Sequence, residues 1–264
     1  MSFKKQFKTA REAAILASKI QLESFGRKHD LTPKEGRDFA TEVDFASEEV
    51  IINAIKRNFP ADNILSEEKG TIDGQSRYMW VVDPLDGTVN YSLGFAYFCV
   101  IIALYDLKKD ETLMSIVYNP ITKDLYYAEK GCGAYLNNQE ISVSSRTKLE
   151  DSCLALGALK ISKKDVPGKF SNQHHLITSE EFLRKRVVGS AGLDTANVAK
   201  GAFDAYVSMG GGAWDYLGPG LLVDEAGGQV VDENGQALTL QSHGIVACGS
   251  GIFDQVINLL EQND

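Results

Sequence analysis

The chain has 264 residues, 44% of them hydrophobic and 24% charged, enough for one large domain or two intimate halves around a substantial core. A net charge of −9 and a pI near 5.0 argue against nucleic acid or an anionic membrane as partner, because both need clustered Lys and Arg. An anionic substrate stays open, since a bound cation can reverse the local sign.

The N-terminus, MSFKKQFKTAREAAILASKIQ, starts basic, but its apolar run AAILA is too short for a signal peptide. Ala13, Ile15, Leu16, Ile20 and Leu22 recur at helical spacing, so an amphipathic helix is expected. No stretch approaches transmembrane length. Residues 31–44 are broken by Pro33 and Gly36 and read as a loop or hairpin. From Asp44 a second helix is expected, with Ser47–Glu49 as a solvated first turn and Lys56 and Arg57 in the last turn. Strand-like runs follow: NILSEE, YMWVVD, FCVIIALYD, LMSIVYNP, DLYYAEKG and GAYLN. Antiparallel sheet is expected from Tyr97 to Asn137. After about residue 150, helical and strand patterns alternate, which predicts βα units. Two halves, 1–145 and 146–264, are expected to share one catalytic interface. The four cysteines, Cys99, Cys132, Cys153 and Cys248, form no CxxC pair and sit at no zinc spacing. Reduced thiols and a cytoplasmic location are therefore expected.

Acidic residues crowd the ends of these elements: Asp44 in ATEVD, Glu67 and Glu68 in LSEEKG, Asp83 and Asp86 in DPLDGT, and Asp215 in AWDYLGPG. Pro84 ends regular pairing and turns the chain. Both aspartates and the Leu85 carbonyl could then face one point, with Glu67 and Asp215 joining from neighbouring elements. Hard oxygen ligands without His or Cys suit Mg²⁺ or Mn²⁺. Thr88, after Gly87 at a turn or helix start, could present backbone N–H groups to a phosphate. Its hydroxyl could position a water whose proton a nearby aspartate such as Asp44 takes up. Together these parts describe metal-assisted hydrolysis of a phosphate ester.

SEEKG, WVVDPLDGTVNY and WDYLGPGLLVDEAGG, with KEGRDFATEVD ahead of them, closely resemble the motifs of the inositol monophosphatase family in order and spacing. The resemblance runs from about Lys34 to Gly228. It implies a mixed α/β, layered α-β-α-β-α sandwich shared with fructose-bisphosphatase, a homodimer, and a Mg²⁺-dependent, lithium-sensitive phosphatase using two or three ions. It implies that Glu67, Asp83 and the Leu85 carbonyl hold a first metal. Asp83, Asp86 and Asp215 would hold a second. Glu67 would also border a weaker third site. Asp44, Thr88 and Glu67 form the implied catalytic set. Gly87 and Thr88 amides would hold phosphate, and Gly189, Ser190, Ala191, Ser208 and Asp215 would face the substrate.

DGTVNY resembles the inositol phosphatase form of its motif, so inositol 1-phosphate or a similar polyol phosphate is the expected substrate. Ser208 stands where animal members carry a substrate-binding glutamate, and Gly210–Gly212 replace a bulkier run, which predicts an open or mobile wall. Fructose 1,6-bisphosphate, NADP, histidinol phosphate and 3′-phosphoadenosine 5′-phosphate are therefore the alternatives. A regulatory, protein-binding role is the non-enzymatic one. Lys34 reads equally as a loop lysine or a residue approaching the site, and Glu68 as solvated or supporting. His174 and His175 read as surface loop. Trp80 and Trp214 are expected beside the acidic loops, and Pro219 within a first helical turn.

Overall fold

The computed structural model describes residues 2–34, 39–157, 176–177 and 179–261. His174 and His175 lie outside them. Helix α1 (Lys4–Ser24) packs on α2 (Glu42–Asn58) through a stripe of small side chains, Ala10, Ala13, Ala14 and Ala17, against Ile51, Ile52 and Ile55. Small residues let the two axes approach closely. The expected hairpin joins them, with β1 (Leu31–Pro33) antiparallel to β2 (Phe39–Thr41). Thr41 caps α2 through a capping box with Asp44, so the helix starts two residues earlier than its acids alone indicate.

Eight strands follow in one sheet: β3 (Asn63–Ser66), β4 (Gly70–Ile72), β5 (Tyr78–Asp86), β6 (Cys99–Asp106), β7 (Glu111–Asn119), β8 (Asp124–Glu129), β9 (Ala134–Leu136) and β10 (Gln139–Ile141). Their order is β10-β9-β8-β7-β6-β5-β3-β4. The sheet is antiparallel across β5 to β10, as expected for residues 97–137, and only β3 and β5 run parallel. Strand β6 is buried along its whole length. Val100, Ile102 and Leu104 face the α1/α2 layer. Cys99 and Ile101, with Ala103 and Tyr105, face the opposite layer. A strand covered on both faces has no polar alternation to show, which is why it reads as a continuous apolar run.

The opposite layer holds α4 (Ala191–Ala199) and α5 (Ala213–Glu225). They are sandwiched between the first sheet and a second one, built from β11 (Cys153–Leu156), β12 (Arg184–Arg186), β13 (Ala205–Met209), β14 (Gly228–Val231) and β15 (Gly244–Gly249) in the order β12-β11-β13-β15-β14. Its far face packs on α6 (Phe253–Glu261) through Leu154, Val207, Val246, Val256 and Leu260. The result is the expected α-β-α-β-α sandwich. The second sheet is mixed rather than a run of βα units: β11 is parallel to β12 and β13, but β15 runs antiparallel to both of its neighbours, β13 and β14.

Pro219 lies in the second turn of α5, not the first, since the helix begins at Ala213. It removes the N–H that would bond the Asp215 carbonyl. Glycines on both sides keep the helix thin there. A Cβ at Gly218 would stand 3.1 Å from Ile101 Cγ2, and one at Gly220 would stand 2.5 Å from Leu238 Cδ1.

Candidate active site

Strand β5 does not stop at Pro84. It continues to Asp86 through a register shift, from Asp83 opposite Ile101 to Asp86 opposite Cys99. Three residues of β5 thus span two of β6, a bulge that re-aims both aspartates. The Leu85 amide donates to Asp83 Oδ1 at 2.9 Å, and Gln21 Nε2 of α1 donates to the Pro84 carbonyl at 2.7 Å. Oxygens of Asp83, Asp86 and Asp215 all lie within 4.8 Å of one another, the one such acidic group among the described residues. Burial, with the charges of Glu67, Asp86 and Asp215 adding to it, pushes the Asp83 carboxyl well above its ordinary range. Three acids cannot all ionise at that spacing unless something positive joins them. A donor set of buried carboxylate oxygens, without nitrogen or sulfur, fits a hard divalent cation.

Each acid is held differently. Asp86 is gripped by the start of α4: Ser190 Oγ donates at 2.5 Å, Gly192 N at 2.8 Å and Ala191 N at 3.0 Å, while Cys99 Sγ donates at 3.3 Å. Burial still raises its carboxyl, and these donors restrain the rise. The donors of Ser190 and Ala191, two residues expected to face substrate, are therefore directed at Asp86. Asp215 accepts from Gly212 N at 2.7 Å, so it caps α5 and joins the acidic group at once.

Glu67 lines the same cavity, on the loop after β3. Lys34 reaches this loop, with Nζ 2.8 Å from Glu67 and also paired to Glu68. Both open readings are thereby decided: Lys34 approaches the site, and the Glu68 side chain is only 3% exposed. Burial raises the Glu68 carboxyl to about 7 despite Lys34. The pair's attraction outweighs burial at Lys34 and holds its ammonium charged.

Asp44 is fully buried at the start of α2. Its Oδ2 accepts from Thr41 N and Oγ1, and its Oδ1 accepts from Thr88 Oγ1 at 2.8 Å. Thr88 Oγ1 also lies 3.0 Å from the Leu85 carbonyl. Thr88 opens α3 (Thr88–Ser92) after Gly87, whose φ of 90° suits glycine. A Cβ at Gly87 would stand 3.0 Å from the Tyr97 carbonyl.

Glu67, Asp83, Asp86, Thr88 and Asp215 line a cavity of about 520 Å³ that Ser208, Tyr206 and Tyr216 also line. Ser208 Oγ lies 3.2 Å from the Tyr216 hydroxyl. The glycine run is not an open wall but a tight one. A Cβ at Gly211 would stand 2.3 Å from Tyr216 Oη, and one at Gly212 would stand 2.4 Å from Trp214 Cε2. Trp214 borders the cavity as expected. Trp80 does not: it is buried toward the α1/α2 layer, with Nε1 on Asp62 Oδ2 at 3.0 Å.

Four supporting residues were not read from sequence. Glu48, expected to be solvated, is fully buried, as are Gln21 and Cys99. A carboxylate one turn after Asp44, on the face that carries Ile51 and Ile55, was the available signal. Asp194 is fully buried in α4, where its Oδ1 accepts from Tyr97 Oη at 2.7 Å. Burial raises its carboxyl to about 7, with Tyr97 restraining and Asp86 adding to the rise. Stability from such a raised group is present below the unfolded value near pH 4 and lost as pH rises through about 7. Asp194→Asn cannot ionise. Its Tm is expected to climb relative to wild type between pH 5 and pH 8, by the equivalent of about 1–3 kcal/mol. A thermal-melt series that keeps the two Tm values parallel across this range would contradict it.

Residues 4–264 match the sequence model of the inositol monophosphatase family. A curated relative, Nus factor SuhB of Pasteurella multocida, is 36% identical over 94% of this chain and 93% of its own length. The inositol-1-monophosphatase of Caulobacter vibrioides is 32% identical over 94% of this chain and 98% of its own. Among solved structures, extragenic suppressor protein suhB from Bartonella henselae superposes with a TM-score of 0.89 at 29% identity, covering 98% of this chain and all of that one.

Proposed function

This chain belongs to the inositol monophosphatase family, and on that premise we propose that it is a Mg²⁺-dependent phosphomonoesterase acting on inositol 1-phosphate or a similar polyol phosphate. The observation that carries the reading is the group of Asp83, Asp86 and Asp215 oxygens within 4.8 Å, beside the Thr88–Asp44 hydrogen bond in one cavity.

Asp83, Asp86 and Asp215 would hold one cation, and Glu67, Asp83 and the Leu85 carbonyl another. A divalent ion held there would supply Lewis acidity to the phosphoryl group, the attacking water and the leaving oxygen. The protein does the rest. Thr88 gives its single hydroxyl proton to Asp44, the nearer of its two acceptors. Its oxygen then accepts from a water and aims it, and Asp44 takes up the proton through this bond. Amides of Gly87 and Thr88 would orient the phosphate. Asp86, clamped by α4, cannot swing away as charge develops.

The cavity is also lined by Ser208 and Tyr216, whose hydroxyls share a hydrogen bond and can both donate and accept. That suits a polyhydroxylated leaving group. Phosphate release with Mg²⁺ across inositol 1-phosphate, fructose 1,6-bisphosphate, NADP, histidinol phosphate and 3′-phosphoadenosine 5′-phosphate tests the assignment. The highest kcat/KM is expected for inositol 1-phosphate. Preference for another ester would leave the metal chemistry and overturn the substrate.

Relatives named Nus factor favour a second reading, a regulatory protein contact in addition to catalysis. An exposed apolar patch favours a homodimer. Leu93, Phe95 and Val187 are 77%, 52% and 57% exposed. Their segments are tied together by Asn90 Nδ2, which donates to the Val188 carbonyl at 2.9 Å. Light scattering that finds a monomer would refute the dimer.

A further inference from the structure

We infer that Glu48 is the positioning residue that sets the metal affinity of the Glu67 loop, an inference that rests on the metal reading above. Glu48 sits one turn after Asp44 in α2 and is fully buried. A single oxygen, Oε1, accepts from Ser66 Oγ at 2.5 Å, Lys69 N at 3.0 Å and Glu68 N at 3.1 Å. These three donors bracket Glu67 on both sides. Glu67 N itself donates to the Val82 carbonyl of β5 at 3.1 Å. Lys34 pairs with the Glu67 and Glu68 side chains, while Glu48 takes three of the hydrogen bonds that the segment 66–69 donates.

Val82 belongs to the strand that carries Asp83, while Glu48 belongs to the helix that carries Asp44. Glu48 therefore sets the distance between a metal-side carboxylate and the water-side pair of Asp44 and Thr88. Gln21 does the corresponding task for the other loop. Its Nε2 bonds the Pro84 carbonyl at 2.7 Å and Ser47 Oγ, on α2 beside Glu48, at 3.3 Å. One helix pair thereby references both acidic loops to a common frame. Glu48 Oε2 is buried without a hydrogen-bond partner among the described residues. A group kept only for fold stability would not need a second, unsatisfied oxygen there. Chain length and one acceptor atom are what the loop uses.

This separates position from charge. Glu48→Asp keeps the charge but shortens the reach by one methylene. Glu48→Gln loses the charge but keeps an oxygen at the same reach. Mn²⁺ binding is read directly from the free-ion paramagnetic resonance signal, with metal-free Tm measured in parallel. The Mn²⁺ dissociation constant is expected to rise about 10-fold or more in Glu48→Asp and less than about threefold in Glu48→Gln, within the range for groups that orient ligands. An unchanged constant in Glu48→Asp overturns the inference, whatever happens to Tm. So does the reverse order, which would make the charge the active property. If Glu48→Asp does not fold, Ser66→Ala removes one donor and leaves Glu48 in place. Weaker Mn²⁺ binding there supports the inference and unchanged binding overturns it. Wild-type protein that binds no Mn²⁺ overturns the metal reading itself, and this inference with it.

Discussion

Asp83→Asn is expected to lower phosphatase activity by about 10³-fold or more while raising the Tm of the metal-free protein. The two effects have one cause. Asp83 is 1% exposed and faces the charges of Glu67, Asp86 and Asp215, so its carboxyl is raised well above the ordinary range. A raised carboxyl costs stability as pH climbs past its unfolded value, and the neutral amide avoids that cost. The gain should be largest near pH 8 and should shrink toward pH 4. The Leu85 amide bond to Oδ1 is kept by the asparagine oxygen. Mg²⁺ should raise the wild-type Tm and leave that of Asp83→Asn nearly unmoved.

Asp86→Asn is the control with the opposite sign of stability. Both Asp86 oxygens already receive donors, Oδ1 from Ala191 N and Oδ2 from Ser190, Gly192 and Cys99. An amide nitrogen must face one of them, at a cost of about 1–3 kcal/mol. It should lose activity and Tm together. Melting curves with and without Mg²⁺, beside phosphate release, read all of this. Asp83→Asn with activity within tenfold of wild type would dismiss the metal assignment. The same variant serves the regulatory reading: a cellular role that survives in it does not depend on catalysis.

Thr88→Ala should reduce kcat by about 10²–10⁴ with little change in KM, the usual contribution of one positioned proton-transfer group. Asp44 lies under the cavity with Oδ2 occupied by Thr41 and only Oδ1 directed at Thr88. Without the hydroxyl, nothing links that carboxylate to a water in the cavity. Thr88→Ser restores the link and should recover activity to within about tenfold of wild type. The alanine variant also leaves a buried carboxylate oxygen without its donor, so a Tm loss equivalent to about 1–3 kcal/mol accompanies it. Steady-state kinetics on all three proteins decides the point. Equal kcat in Thr88→Ala and wild type would remove Thr88 and Asp44 from the proposed path of the proton.

Much of the architecture was readable along the chain. The existence of α1, the charge pattern of α2 and the turns between β6 and β9 arise from residues a few positions apart. So does the clustering of acids at element ends. The face of α1 does not: Leu16 and Leu22, expected on its apolar side, are exposed, and Ala10, Ala13, Ala14 and Ala17 are buried because small residues let α2 come close. The misreadings share another character. Trp80 was assigned to the wrong face because a doubly buried strand carries no alternation to orient it. The glycine run predicts an open or mobile wall, and the structure bears on the first alternative. The real cause of the run is the bulk of Tyr216 and Trp214 packed against it.

The sequence alone determined the chemistry on offer: oxygen ligands only, a hydroxyl and a nearby acid to aim a water, and a glycine at the turn before Thr88. Residue type and short-range spacing suffice for that, since they set ligand hardness and turn geometry. Only the tertiary structure decided which acids stay mutually repelling and which are satisfied. Asp86 meets Ser190 across 104 positions of chain, and Glu48 meets Ser66 across 18. Both partners are set by how the sheets and helices stack. A carboxylate's charge state and rigidity depend on those neighbours, because burial and hydrogen bonds, not the residue's identity, set the balance between repulsion and attraction.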